Sequence, residues 1–448
     1  MKGSRAVRTW IAVALLCAGC SVVALTVLPD AARPVAILFV IGLVVAAAQL
    51  APVVAGNVLC ARPHFADLAA GRALRFARPR FAYVIAVLAL AISLSIGLDG
   101  AAKSLKADVG RSVAAWTIGD LYVRPAPPGK SLHDEKFAVG TSERLRDVAG
   151  VESVGWFSYS TIELYGTRVP VWTWSADDVE DFVRFRVADG ARGSRLWQQL
   201  DDGEIALSHN FARLHDVRVG DTVSLPTTTG AADLVVAAIV DDSASDAGVV
   251  ITGATTYSAL TGDRRPQEIE LRLAPGADPA AVEEEVTALL SPEHEGLVVY
   301  DRAEIRAAFA SLAGDLLDSF VIVGRLLFVV ALLVGATATV TGMTTRKREF
   351  GLSRLSGADR TVVRGQLLRE SLAVATSAWV IGFPMGLLLV PALLRGLASQ
   401  TGVVPAVSWP WPAALACLPA AVLLALTALA LATPQRRMGS LAEMFAGE

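Results

Sequence analysis

The sequence predicts an α-helical multi-pass membrane protein with six spans and a large α+β extracytoplasmic domain inserted between the third and fourth. Three observations lead there. The chain is 53% hydrophobic and 19% charged, with mean hydropathy +0.50, an extreme balance for 448 residues of water-soluble protein. Six apolar segments are long enough for a bilayer core of roughly 30 Å, which takes about 20 helical residues. Lysine and arginine collect in alternate connections between those segments.

The spans are Trp10–Leu28, Val35–Ala55, Phe81–Leu98, Phe320–Met343, Ser371–Leu394 and Trp411–Ala432. Arg325 lies near the outer end of the fourth, where its side chain can snorkel to the interface. Lys2, Arg5 and Arg8 precede the first span, and Arg62, Arg72, Arg75, Arg78 and Arg80 separate the second from the third. Arg346, Lys347, Arg348, Arg354, Arg360, Arg364 and Arg369 separate the fourth from the fifth, and Arg436 and Arg437 follow the sixth. If the spans alternate, all of these fall on one side, so both termini and both basic connections are expected in the cytoplasm of a cell membrane. The insert Gly100–Ser319 then faces outward with most of the acidic residues, among them Asp177–Asp181 and Glu283–Glu285. Those acids read as a solubilising surface rather than a cation site.

Cys17, Cys20, Cys60 and Cys417 all lie in or beside spans, so the outer domain has no disulfide framework and no metal-type spacing. The segment before Cys20 resembles a lipoprotein signal, but Cys17 stands where such signals carry leucine and the apolar run continues to Leu28. An uncleaved first span is expected.

Phe65–Ala77 reads as an amphipathic helix on the cytoplasmic surface, separated from the third span by Pro79. Ala101–Ala115 and Arg302–Asp318 read as helical stalks that prolong the third and fourth spans outward. Between them, strands are expected at Asp120–Arg124, across Glu152–Trp174 with a turn at Gly166, and at Thr222–Leu225, Leu234–Val240 and Ile269–Leu273. Helices are expected at Ser142–Ala149, Ile205–Leu214 and Pro279–Leu290, the last opened by Asp278 as cap and a first-turn proline. The result is an α+β domain of one or two lobes.

No catalytic constellation emerges, so a non-catalytic subunit that binds no cofactor of its own is expected. His209 and His215 are too far apart for one helical face, and Ser208 lacks a nucleophile elbow. Pro128-Gly129-Lys130-Ser131 ends like a phosphate loop, but Arg124 stands where the first glycine belongs. Trp172 and Trp174 share one strand face, which is either packed core or an exposed binding surface, with core favoured. Gly382, Pro384 and Gly386 mark a kink or a close helix approach in the fifth span.

The patterned segment is the connector Thr344–Glu370. Phe350, Leu352 and Leu355 give it an apolar side, Gly357 breaks the helix, and Asp359 can cap the next one. Its run RKREFGLSRLSGADRTVVRGQLLRES resembles the cytoplasmic motif of the MacB/FtsX-like permeases of ABC transporters, a basic run, Glu, Gly-Leu, an Arg-rich turn and Gly-Ala. The segment GEIALSHNFARLHDVRVGDTVSL, Gly203–Leu225, resembles the same family's periplasmic core domain.

The resemblance implies a division into residues 1–60 (two additional spans), 61–99 (elbow helix and third span), 100–319 (MacB-like periplasmic core domain with stalks), 320–433 (FtsX-like three-helix permease domain) and 434–448 (cytoplasmic tail). It implies that ATP acts through a separate cytoplasmic ABC ATPase. That ATPase would dock on Arg346, Lys347, Arg348, Glu349, Phe350, Gly351, Leu352, Arg354, Leu355 and Gly357. It implies a second permease subunit as well, either a second copy or a sister half, since the two extra spans look like the central helices of longer, duplicated permeases. Export or extraction of a substrate is the implied work. Two alternatives stay open: an FtsX-type regulator that activates a cell-wall hydrolase, and a passive membrane receptor or anchor.

Overall fold

The computed structural model describes residues 2–26, 35–125, 135–176, 178–242, 245, 247–294, 296–345, 360–401, 405–419 and 422. They form two compact units. One takes the described residues within 1–105, 316–397 and 405–448, the other those within 106–315 and 398–404.

The first unit is helical. Its elements are α1 (Lys2–Thr26), α2 (Val35–Cys60), α3 (Phe65–Phe76), the inner part of α4 (Arg78–Trp116), the later part of α10 (Arg302–Thr345), α11 (Arg360–Thr401) and a further helix over residues 411–419. Among the described residues, four stretches are long and apolar enough to cross a bilayer: Ile37–Cys60, Arg78–Trp116, Leu317–Thr337 and Thr361–Leu397. The expected third and fifth spans lie wholly within these stretches, and the expected second and fourth overlap them in part. The expected first span is helical as far as Thr26, but its described apolar stretch, Arg8–Ser21, is shorter than a span. Most of the expected sixth lies outside the described residues.

Helix α4 is the best buried of the four and forms the centre of this unit. Its Leu88, Ala89, Ile92 and Ile96 pack with Val374 and Ala378 of α11. Glycine makes that packing close. A Cβ at Gly382 would stand 2.7 Å from the Ala89 carbonyl oxygen, and one at Gly386 would stand 2.7 Å from the Ile96 Cβ. The Ser93 hydroxyl lies 2.8 Å from the Ala89 carbonyl and 3.1 Å from the Gly382 carbonyl. Small residues let two backbones meet where lipid offers no competing hydrogen bond. The glycines of the fifth span therefore serve a close helix approach. Gly382→Val should lower the thermal stability of the detergent-solubilised protein by about 1–3 kcal/mol, the usual cost of overpacking. An unchanged unfolding midpoint would show that the two helices do not meet there.

The second unit is built on one connected sheet. Its strands are β1 (Leu121–Pro125), β2 (Val151–Leu164), β3 (Thr167–Ala176), β4 (Val187–Gly190), β5 (Ile205–Ser208), β6 (Thr222–Thr227), β7 (Gly230–Val240), β8 (Val250–Thr252), β9 (Glu268–Leu273) and β10 (Leu297–Asp301). Their order is β10-β1-β9-β2-β3-β8-β5-β7-β4, with β6 on β7. Its helices are α5 (Thr141–Leu145), α6 (Ser194–Asp201), α7 (His209–Leu214), α8 (Ala254–Thr261) and α9 (Pro279–Leu290).

Several of these elements follow from local sequence. Asp278 caps α9 by accepting from the Ala280 amide, and proline opens the first turn. The β2–β3 hairpin turns on Tyr165 and Gly166, both at positive φ (51° and 74°), as a two-residue loop of the primed type requires. Val282, Val286 and Leu290 of α9 then cover Leu121, Val123, Ile269 and Leu271 on one sheet face.

Two expectations are corrected. The predicted helix Ser142–Ala149 reaches only from Thr141 to Leu145 before the chain turns at Gly150, which sits at φ 88°. The predicted helix Ile205–Leu214 is the strand β5 followed by the short helix α7. Ile205 and Leu207 pack against one side of the sheet and Ala206 against the other. A strand buried on both faces shows no alternation, and IALS joined to HNFARL imitates a helical period.

Candidate functional site

The expected docking residues Arg346, Lys347, Arg348, Glu349, Phe350, Gly351, Leu352, Arg354, Leu355 and Gly357 lie outside the described residues, as does the loop-like Pro128–Ser131. Helix α11 begins at Arg360, the residue after the expected cap Asp359. The described residues instead show a junction in the second unit, where the outer ends of α4 and α10 meet the sheet.

Both helices are continuous. α4 runs for 39 residues to Trp116, and α10 starts at Arg302 and runs for 44. Arg306 Nη2 donates to the carbonyls of Thr117 (2.6 Å) and Ala114 (3.4 Å), and its Nε donates to the Thr117 hydroxyl (2.9 Å). A cation on the last carbonyls of α4 satisfies groups the helix leaves unpaired and complements its dipole. Arg302 Nη2 binds Asp120 Oδ1 at 2.5 Å, and its Nε donates to the Gly119 carbonyl at 2.8 Å. Asp120 Oδ2 in turn accepts from the Leu273 amide at the end of β9. Asp120 therefore ties α10 to the central sheet.

Aromatic packing reinforces the junction. Trp116 meets Phe309 of α10 edge-on at 5.3 Å and Trp172 of β3 at 6.2 Å. Trp172 continues to Trp174 and Phe157, and Trp174 to Phe185 and Trp197. The two tryptophans of β3 share a face, as expected, and that face is packed: Trp174 is 4% exposed and Trp172 half-buried. Such pairs contribute about 0.5–1.5 kcal/mol each beyond their area.

Beneath this cluster lie two buried carboxyls that the sequence reading missed. Glu268 and Glu270 of β9 are 5% and 1% exposed and, at i and i+2, share one face of the strand. Glu268 pairs with Arg124, and Glu270 Oε1 accepts from Trp174 Nε1 at 3.2 Å. Glu270 Oε2 and the Trp116 indole nitrogen are buried without a hydrogen-bond partner. Burial, and then the neighbouring Glu268 charge, hold the Glu270 carboxyl well above the usual carboxylate range. Burial raises Glu268 too, with Arg124 opposing.

A carboxyl whose folded pKa is raised contributes stability fully below its unfolded value of about 4.3, and that contribution fades as pH climbs through the folded value. Outer-domain stability should therefore fall as pH rises from about 4 toward neutral, by at most about 1.4 kcal/mol per pH unit from this group. Glu270→Gln should remove that part of the slope in unfolding scans at stepped pH. An identical slope in the variant would contradict the assignment.

Two stretches of the chain each match a known family model. The MacB-like periplasmic core domain matches residues 81–289, and the FtsX-like permease C-terminal domain matches residues 321–440. The chain belongs to the MacB/FtsX-like permease family. This permease is a membrane protein whose α+β unit is an extracytoplasmic domain. It is 23% identical over 321 residues to an uncharacterized ABC transporter permease protein of Mycobacterium tuberculosis, covering 70% of this chain and 37% of that protein. The permease thus spans little more than a third of that relative's length. Among solved structures it is similar to the periplasmic region of MacB from Actinobacillus actinomycetemcomitans (12% identity, 45% of this chain and 97% of that one, TM-score 0.34). It is similar also to the extracellular domain of the noncanonic ABC-type transporter YknZ from Gram-positive bacteria (12% identity, 40% and 99%, TM-score 0.31).

Proposed function

We propose that this permease is the non-catalytic transmembrane subunit of an ABC transporter, driven by a separate cytoplasmic ATPase. Six helices cross the cell membrane, with both termini in the cytoplasm. The ATPase docks on the connector from Arg346 to Gly357, and ATP acts only through that partner. Closure of the ATPase shifts α4 and α10, which carry the motion into the outer domain for export or extraction of a substrate. A second permease subunit, identical or a sister half, completes the complex. The exposed apolar side chains of α10, such as Ile322, Leu326 and Leu333, are available to that subunit or to lipid.

The observation that carries the proposal is the pair of unbroken helices whose outer ends are fastened to each other and to β9. A passive anchor has no need of two long helices locked together at the point where they meet a folded domain. The test is purification from native membranes of the wild type, Glu349→Lys and Gly357→Pro. The wild type should retain an ABC ATPase and the variants should lose it. Absence of any ATPase from wild-type preparations would overturn the proposal.

A further inference from the structure

Helix α3, expected as an amphipathic helix resting on the cytoplasmic surface, is held on two sides by protein. Its Asp67 is only 5% exposed, and Arg369 Nε of α11 stands 2.6 Å from Asp67 Oδ1. A carboxylate this deeply covered needs its cation, so the contact fixes which face of α3 meets α11. The two backbones are close there as well, since a Cβ at Gly365 would stand 3.9 Å from the Ala66 Cβ. On the other side, a Cβ at Gly71 would stand 2.6 Å from the Gly56 carbonyl oxygen of α2.

The sequence positions of these contacts give them meaning. Arg369 lies in the early turns of α11, the helix that follows the connector. At its other end, α3 closes at Phe76, and α4 opens at Arg78 with only Ala77 between. The Arg80 and Phe81 amides both donate to the Ala77 carbonyl, so the bend is hydrogen-bonded rather than a free hinge. Arg78 Nε also donates to the Gln49 carbonyl of α2.

We infer that Asp67 and Arg369 are positioning residues that relay motion from α11 through α3 to α4, the helix that ends at the outer-domain junction. The inference rests on the proposed docking of an ATPase at the connector. It adds a route that the connector and α10 do not provide, because α10 precedes the connector and α4 is separated from it in sequence.

The test uses the full permease with its co-purified ATPase in nanodiscs, following ATP-dependent hydrogen exchange at residues 106–116. Asp67→Asn and Arg369→Gln should retain the ATPase but reduce the ATP-dependent exchange difference by about tenfold, within the usual range of coupling between sites. A covalent bond should then substitute for the ion pair. Ala66→Cys with Gly365→Cys, placed in the Asp67→Asn protein with the native cysteines changed to alanine, has a Cβ separation suited to a disulfide. Oxidation should restore the exchange difference and reduction should remove it again.

A purely structural role predicts lower stability in Asp67→Asn with an unchanged ATP response in the folded fraction, and that result would overturn the relay. So would an oxidised protein that stays unresponsive. Loss of the ATPase from the wild type would instead overturn the docking proposal, and the relay with it.

Discussion

Trp174→Ala lowers the stability of the extracytoplasmic domain by about 3–5 kcal/mol, the expected cost of deleting a buried tryptophan. Three losses combine. The indole leaves a void among Phe157, Phe185 and Trp197. It abandons its edge-on contact with Trp172, through which the cluster reaches Trp116 at the end of α4. It also withdraws the Nε1–H donor from Glu270, leaving both carboxyl oxygens buried and unpaired. Trp174→Phe separates these effects: it refills most of the volume and should recover more than half of the loss. The remainder reflects the lost donor and should shrink as pH falls through the raised folded pKa of Glu270, because the indole N–H favours the charged carboxylate over the neutral acid. Denaturant unfolding of the purified permease, followed by tryptophan emission, reads both differences. A Trp174→Ala protein within about 1 kcal/mol of wild type would contradict the packing described, since that is the scale of surface substitutions.

Arg306→Ala is expected to have the second largest effect, on coupling more than on folding. The guanidinium accounts for three contacts to the last turn of α4, and alanine returns those acceptors to water at a cost of about 1–3 kcal/mol. That cost is too small to unfold the domain. It does release the ends of the two stalks from each other, leaving Trp116 against Phe309 as the remaining direct contact described. The variant should still bind and hydrolyse ATP through its partner while the outer domain's response weakens. Asp120→Ala should act in the same direction, since Asp120 joins Arg302 of α10 to the Leu273 amide of β9. Lys at position 306 keeps the charge but not the planar fork, so it should restore only part of the coupling. If Arg306→Ala left the response intact, the stalk ends would not be the transmission point.

Much of the architecture was legible from residues with a single local meaning. Asp278-Pro279 announced α9, Gly166 announced the β2–β3 turn, and the apolar runs announced the four long helices. Legibility failed where burial rather than periodicity sets the pattern. β5 has core on both sides, and β8, with Val250 on one side of the sheet and Ile251 on the other, is too short to show any period. The junction was only half legible. Trp172 and Trp174 could be placed on one face, but their partners Trp116, Phe157, Phe185 and Trp197, and Phe309 behind Trp116, come from other segments. Arg302 and Arg306 did carry a signal. Cations in the first turns of a helix oppose its dipole, so their presence there points to an external anchor. Glu268 and Glu270 carried the opposite of a signal, since the sequence EIELRL reads as a strand with its acids toward solvent.

The central claim is that ATP bound in the cytoplasm changes the outer domain through α4 and α10. It is tested most directly by hydrogen exchange on the permease–ATPase complex in nanodiscs, with and without a non-hydrolysable ATP analogue. The account predicts altered protection at the ends of α4 and α10 and in β1 and β9, abolished by Arg306→Ala with Asp120→Ala while ATP binding is retained. Altered protection confined to the connector and the cytoplasmic ends of the helices, with the outer domain unchanged, would contradict it.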